Sequence, residues 1–267
     1  MAVFNMSVKN FSKSLLLLLT VFSLLFVVTP AFADLITNGN FESPAVPPGS
    51  TCGGYGPCVG FHTWAGQNDI GGWTVIGKSD VDGSGNPIPG APYPIMVMTS
   101  AYTEPYTDAS GAPDGVLDFT AHDGGQALDL TGEGNQGTTN GIKQTIYGLS
   151  AGTYDLSFWL GREDTSAAGY LDGPASLTLW IDGNPAGGPG CAFVYNNDTG
   201  GDHDISWQEF SCQFSASGDT TIAFLNNTAI GNNYAGLDDV SLVQTPEPTS
   251  LILLGSGFIG ILIRRKR

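Results

Sequence analysis

Short apolar runs closed by turn-forming residues recur along almost the whole chain, and no long stretch carries a helical period. That pattern belongs to an all-β sandwich or barrel, in which each strand is brief and each reversal needs Gly, Pro, Asn, Asp or Ser. The runs predict strands at 35–42, 73–76, 95–98, 127–130, 142–147, 153–160, 176–181, 192–195, 207–214, 221–225 and 237–243. Turn signals such as Ser150-Ala151-Gly152, Asp182-Gly183-Asn184-Pro185 and Ser217-Gly218-Asp219 separate them. No fixed repeat is present, which argues against a solenoid or a propeller. Residues 43–118 are rich in Pro and Gly and read as elaborated loops on the sandwich. Their aromatics Phe61, Trp64, Trp73, Tyr93, Tyr102 and Tyr106 argue against a disordered insert.

Alternation assigns the side chains of two strands to faces. Tyr154, Leu156, Phe158 and Leu160 share one face, with Trp159 on the other; Leu177, Leu179 and Ile181 share one face, with Trp180 opposite. In 207–214 the core set is Gln208, Phe210, Cys212 and Phe214, which leaves Trp207 outward. Two tryptophans on polar faces predict either a stacking platform for sugar rings, made by Trp159 and Trp180, or a second small core under covering loops. Trp64, Trp73 and Trp207 read as core or loop-packing residues.

The N-terminus is written for export. Lys9 and Lys13 precede an apolar run at 15–28 and the small-residue site Ala31-Phe32-Ala33. This is a signal peptide, 1–33, rather than a spanning helix, for which the run is short. The body 34–244 then carries three basic residues against 24 acidic ones, a formal charge of −21. Such a body repels nucleic acid and anionic lipid and suits cations or neutral polymers as partners, although solubility alone accounts for much of it. All four cysteines follow the cleavage site, as disulfides in an exported chain do. Three pairings are open; the local one joins Cys52 to Cys58 and Cys191 to Cys212. No companion Cys or His stands at zinc spacing.

The composition changes again after Gln244. Residues 245–267 hold Pro246-Glu247-Pro248, an uncharged apolar stretch at 250–263, and Arg264-Arg265-Lys266-Arg267. A stiff linker, an apolar segment and a basic stop describe a membrane anchor, with the basic residues on the cytoplasmic side. The segment spans ~21 Å as a helix, short of a ~30 Å hydrocarbon core. These three parts in this order resemble the PEP-CTERM sorting signal. The resemblance implies an exosortase-type processing enzyme as partner, membrane attachment through the tail before processing, and a place in the cell envelope or outside it.

The body also carries a resemblance. Asn38-Gly39-Asn40-Phe41-Glu42-Ser43-Pro44, Gly71-Gly72-Trp73-Thr74-Val75, Gln126-Ala127-Leu128-Asp129-Leu130, Lys143-Gln144-Thr145-Ile146, Thr153-Tyr154-Asp155-Leu156-Ser157-Phe158 and Gly236-Leu237-Asp238-Asp239-Val240-Ser241-Leu242 are similar to galactose-binding-like jelly rolls of the domain of unknown function 642 type. The resemblance implies one jelly-roll β-sandwich. It also implies a structural calcium between the first and last strands, held by Glu42 and by Asp238 or Asp239, and calcium takes six to eight oxygens of this kind. No H-E-x-x-H or G-x-S-x-G stands in the chain, and His62, His122 and His203 are scattered. With 24 acids present, no carboxylate pair singles itself out for glycoside hydrolysis. The reading is therefore an exported envelope or matrix protein that binds extracellular polysaccharide without catalysis. A structural or adhesive matrix protein and a glycan-active hydrolase are the alternatives.

Overall fold

A computed structural model of the chain describes residues 33–46, 60–63, 70–76, 95–100, 102–107, 112–132, 141–163, 173–185, 192–196, 205–228 and 234–246. Residues Asp34–Thr245 form one compact unit. The described residues form strands and no helix: β1 (Gly60–Thr63), β2 (Thr74–Ile76), β3 (Ile95–Thr99), β4 (Thr103–Thr107), β5 (Pro113–Asp118), β6 (Gln126–Asp129), β7 (Gly141–Glu163), β8 (Ala175–Ile181), β9 (Asn184–Pro185), β10 (Ala192–Tyr195), β11 (Ile205–Asn226) and β12 (Gly236–Gln244).

Two long strands organise the rest. β7 and β11 pair antiparallel from Gly141 opposite Leu225 to Glu163 opposite Ile205, with register shifts around Gly218. At that point Gly148 and Gly218 have φ of 68° and 77°, values that glycine adopts without a Cβ penalty. The bulged region lets one ribbon serve two layers. The first half of β7 and the second half of β11 join β2 on one side and β8 on the other, with β9 and β10 beyond β8. The other halves continue through β12, β6, β3 and β1.

The layers close on each other. Phe158 of one meets Phe224 of the other edge-on, with ring centroids 5.0 Å apart. Leu156, Leu160, Ile142, Leu179, Ile222, Leu237 and Leu242 fill the core around them. Burying such side chains is the main favourable term in folding. The result is an antiparallel sandwich, one of the two forms the run-and-turn pattern allows, and a jelly roll as the resemblance implies.

Four local expectations are corrected. Residues 35–42 form no strand. Asn38 and Phe41 both have φ of 53°, so the segment turns back twice and touches β12 only at points. Those points are the bonds from Leu35 N–H to Leu242 O (3.0 Å) and from Val240 N–H to Gly39 O (2.9 Å). Residues 150–152 and 217–219 are not chain reversals but parts of the continuous strands β7 and β11. The segment 43–118 is also richer in strands than expected and holds the β4–β5 hairpin. Near it lies a second apolar cluster of Met98, Leu117, Phe119, Ile205 and Tyr234, with Tyr102 and Trp207 packed against it.

Candidate functional site

Each layer has an outer face, and the chemistry-bearing residues divide between them. On the layer built from β2, β7, β11 and β8, cross-strand register places Pro185, Trp180, Ala223, Lys143 and Thr74 in one row. Residues directly opposite in antiparallel strands point the same way. Ile142, Gln144 and Ile146 are buried, so Lys143, Thr145 and Tyr147 take the outer side. Trp180 is half-buried there. Thr145 and Thr221 share a hydroxyl–hydroxyl bond of 2.8 Å. Tyr147 is 78% exposed.

The outer face of the other layer is covered around Trp159 and Asp238, while Glu209, Ser211 and Gln213 stand exposed on it. Its central row runs Glu209, Trp159, Asp238. The His122 ring lies flat on Trp159 at 3.7 Å between centroids and 16° between planes. Trp207 meets the same imidazole edge-on at 6.2 Å and donates its indole N–H to Thr120 O. His122 Nδ1 is 2.7 Å from Asp239 Oδ2. Asp238 Oδ2 accepts the N–H of His122 at 3.0 Å and of Asp123 at 3.3 Å, and its Oδ1 accepts that of Asp239.

At the other end of the same segment, Glu42 Oε1 accepts the N–H of Gly125 and of Gln126 at 2.7 and 2.8 Å. A turn of two glycines and polar residues is thereby held by carboxylates, each satisfying N–H groups that no ladder reaches. Asp238 is fully buried. Burial, partly opposed by its N–H donors and reinforced by the Asp239 charge, pushes its carboxyl up to about 8. Burial and the nearby Asp129, Glu163 and Asp238 carboxylates likewise push the Tyr234 phenol well above its ordinary value.

Trp159 and Trp180 are not neighbours. Each flanks residues of the shared core, Phe158 and Leu160 for one and Leu179 and Ile181 for the other, and points away from it. The two rings thus leave opposite layers, and the expected two-tryptophan platform does not form. Trp159 is instead the floor of a loop-packing site, while Trp73 is fully buried between Phe41 and Phe224.

The terminal segments do meet as calcium would require, and Glu42 and Asp238 reach the same segment 121–126. Their described contacts are to N–H donors, and among the described residues no three carboxylate, imidazole or thiolate groups gather as they would around a cation. Calcium also draws on backbone carbonyls, and no role is derived for it from these contacts. Cys212 is buried and disulfide-bonded; Cys52, Cys58 and Cys191 lie outside the described residues, as do the signal peptide except Ala33, Glu247, Pro248 and the apolar tail. Among the described residues no helix is long and apolar enough to cross a membrane.

Tyr147 was absent from the sequence-derived candidates. The alternation that buries Ile142, Gln144 and Ile146 is the signal that exposes it.

Residues 244–267 match the family model of the PEP-CTERM protein-sorting motif. The motif marks an exported protein sorted through its C-terminus and processed by an exosortase. No curated protein matches the chain. Among solved structures, the CBM22-1 xylan-binding domain of Paenibacillus barcinonensis Xyn10C is 14% identical, covers 82% of this chain and 99% of its own, and has a TM-score of 0.39. TmCBM61 in complex with β-1,4-galactotriose is 16% identical over 80% of this chain and 99% of its own, with a TM-score of 0.37. A family 35 carbohydrate binding module from Clostridium thermocellum is 13% identical over 57% and 98%, with a TM-score of 0.34. Likenesses this distant assign neither ligand nor site.

Proposed function

We propose that the exported body binds a neutral extracellular polysaccharide, without catalysis, through the outer face of the β2–β7–β11–β8 layer. One observation carries the reading. The Trp180 indole stands half-buried on a polar sheet face, beside the small Ala223 and near the hydroxyls of Thr145 and Thr221. A flat apolar ring framed by hydroxyls fits the alternating C–H and O–H edges of a sugar. Trp159 is not a competing ring, since His122 already covers a face of it. The buried acids Asp129, Glu163 and Asp238 are 4%, 1% and 0% exposed, which keeps them from a polymer arriving at the surface.

The test compares wild type with Trp180→Ala by affinity electrophoresis in gels containing neutral polymers, xylan and β-1,4-galactan among them. Retardation of the wild type and about tenfold weaker retardation of the variant are expected, with both equally folded. Wild type running unretarded in every neutral polymer rejects the reading and leaves a structural matrix role.

A further inference from the structure

We propose that Tyr147 is the second stacking ring of the Trp180 surface, so that this face is an extended track for a run of several sugar residues rather than a pocket for one. The inference rests on the reading of Trp180 above and adds the length and the far end of the site.

Three observations converge. First, the Tyr147 side chain stands open to solvent, at 78%. An exposed ring of this size forfeits its burial energy unless something covers it. Second, it follows directly on the outward residues of the Trp180 layer. Lys143 and Thr145 alternate outward along β7, Ile146 is buried, and the exposed Tyr147 comes next at the register shift; Lys143 lies in the same cross-strand row as Trp180 with only Ala223 between them. Two strand spacings across and four residues along put the two rings ~16 Å apart, a length that several linked sugars fill and a single one does not.

Third, the ground between the rings is polar and low. The Thr145–Thr221 hydroxyl pair lies there with its remaining hydrogen-bonding capacity. The half-buried threonines project little, so a chain can lie across them, while Ala223, 8% exposed, is already covered by its neighbours. Lys143 is the exposed cation among the described residues, since Arg162 is 4% exposed. Its ammonium offers three donors to sugar hydroxyls and no acceptor. The ends of such a track are sequence-tolerant stacking rings, and its middle reads hydroxyls.

The experiment is a carbohydrate array of neutral β-linked oligosaccharides from disaccharide to hexasaccharide, probed with wild type, Tyr147→Ala, Tyr147→Phe and Trp180→Ala. For wild type, affinity rises with chain length. Tyr147→Ala removes about tenfold of affinity for the hexasaccharide and leaves the disaccharide unchanged. Tyr147→Phe keeps the gain, because the ring rather than the hydroxyl is used. Trp180→Ala weakens every length. Binding that depends on Trp180 but shows no gain with length, or a hexasaccharide affinity untouched by Tyr147→Ala, overturns the track and leaves the Trp180 site standing. Absence of any wild-type binding overturns both. Melting curves of the variants confirm that an exposed ring was removed without unfolding.

Discussion

Two tryptophans with the same sequence signature end in opposite circumstances, and the difference lies in what reaches them. Trp159 receives the His122 ring flat on its face, and that imidazole is in turn fixed by Asp239 and by the backbone bond to Asp238. Trp180 receives no such plug among the described residues. Trp159→Ala is therefore expected to cost about 2 kcal/mol, below the ~3–5 of a fully buried aromatic because the ring is only partly covered. Trp180→Ala is expected to cost less than about 1 kcal/mol. Urea denaturation of the two variants checks the contrast, and equal losses would contradict it. Asp238 adds a pH signature. Its folded carboxyl titrates near 8 against an ordinary 3.8, so between those values the native chain holds a proton that the unfolded chain has released. Stability from this group is complete below pH about 4 and declines as pH rises towards about 8. Asp238→Asn keeps an acceptor oxygen but has no proton to release. Its denaturation midpoint is expected to depend less steeply on pH across that window than the wild type's.

At the scale of elements, the β7–β11 ribbon decides the architecture, and its glycines do so for different reasons. Gly218 has φ of 77° and open space where a Cβ would stand. Gly218→Ala therefore meets only the backbone penalty, about 1 kcal/mol. A Cβ on Gly141 would stand 2.1 Å from Phe224 O, a backbone atom that cannot step aside. Gly141→Ala is expected to cost about 2–3 kcal/mol by forcing the strands apart. Thermal melts of both variants test the order. These glycines also show where the sequence was readable. Alternation placed Leu156, Phe158, Leu177 and Leu179 in the core correctly, because a one-residue slip would invert every side chain. Turn chemistry made Asp182-Gly183 a reversal, and both residues have positive φ, as a tight hairpin requires. The same chemistry misled at Ser150-Ala151-Gly152 and Ser217-Gly218-Asp219, where glycine and serine mark a reversal and a bulge alike. The faces of single strands were legible for Trp159 and Trp180. That the two strands lie in opposite layers was not, because layer membership depends on long-range pairing. Glu42 and Asp238, far apart in sequence, both accept N–H groups of one segment, a role that local residue types do not distinguish from cation binding.

At the scale of the molecule, both ends of the body are tied to the layer that carries β12. Asp34 Oδ1 accepts the N–H of Ile36 and of Leu242, and Thr245 bonds to Thr153 O and to Asp155 Oδ2. The body between those ties carries a formal charge of −21, with Lys143 as its exposed cation among the described residues. That charge bears on the choice of polymer. A dense polyanion meets repulsion from the whole surface, which one ammonium does not offset, whereas a neutral chain contacts the Trp180 face through stacking and hydroxyls. Stacking and neutral hydrogen bonds release no counterions, and the Debye length at physiological salt, about 8 Å, already screens most of the distant carboxylates. Binding of a neutral oligosaccharide is therefore expected to change by less than about twofold between roughly 0.05 and 0.5 M salt. Titration calorimetry at the two salt concentrations measures this directly. A steep change of affinity with salt, in either direction, would show that charge on the protein governs the contact, and would displace stacking and neutral hydrogen bonds as its basis.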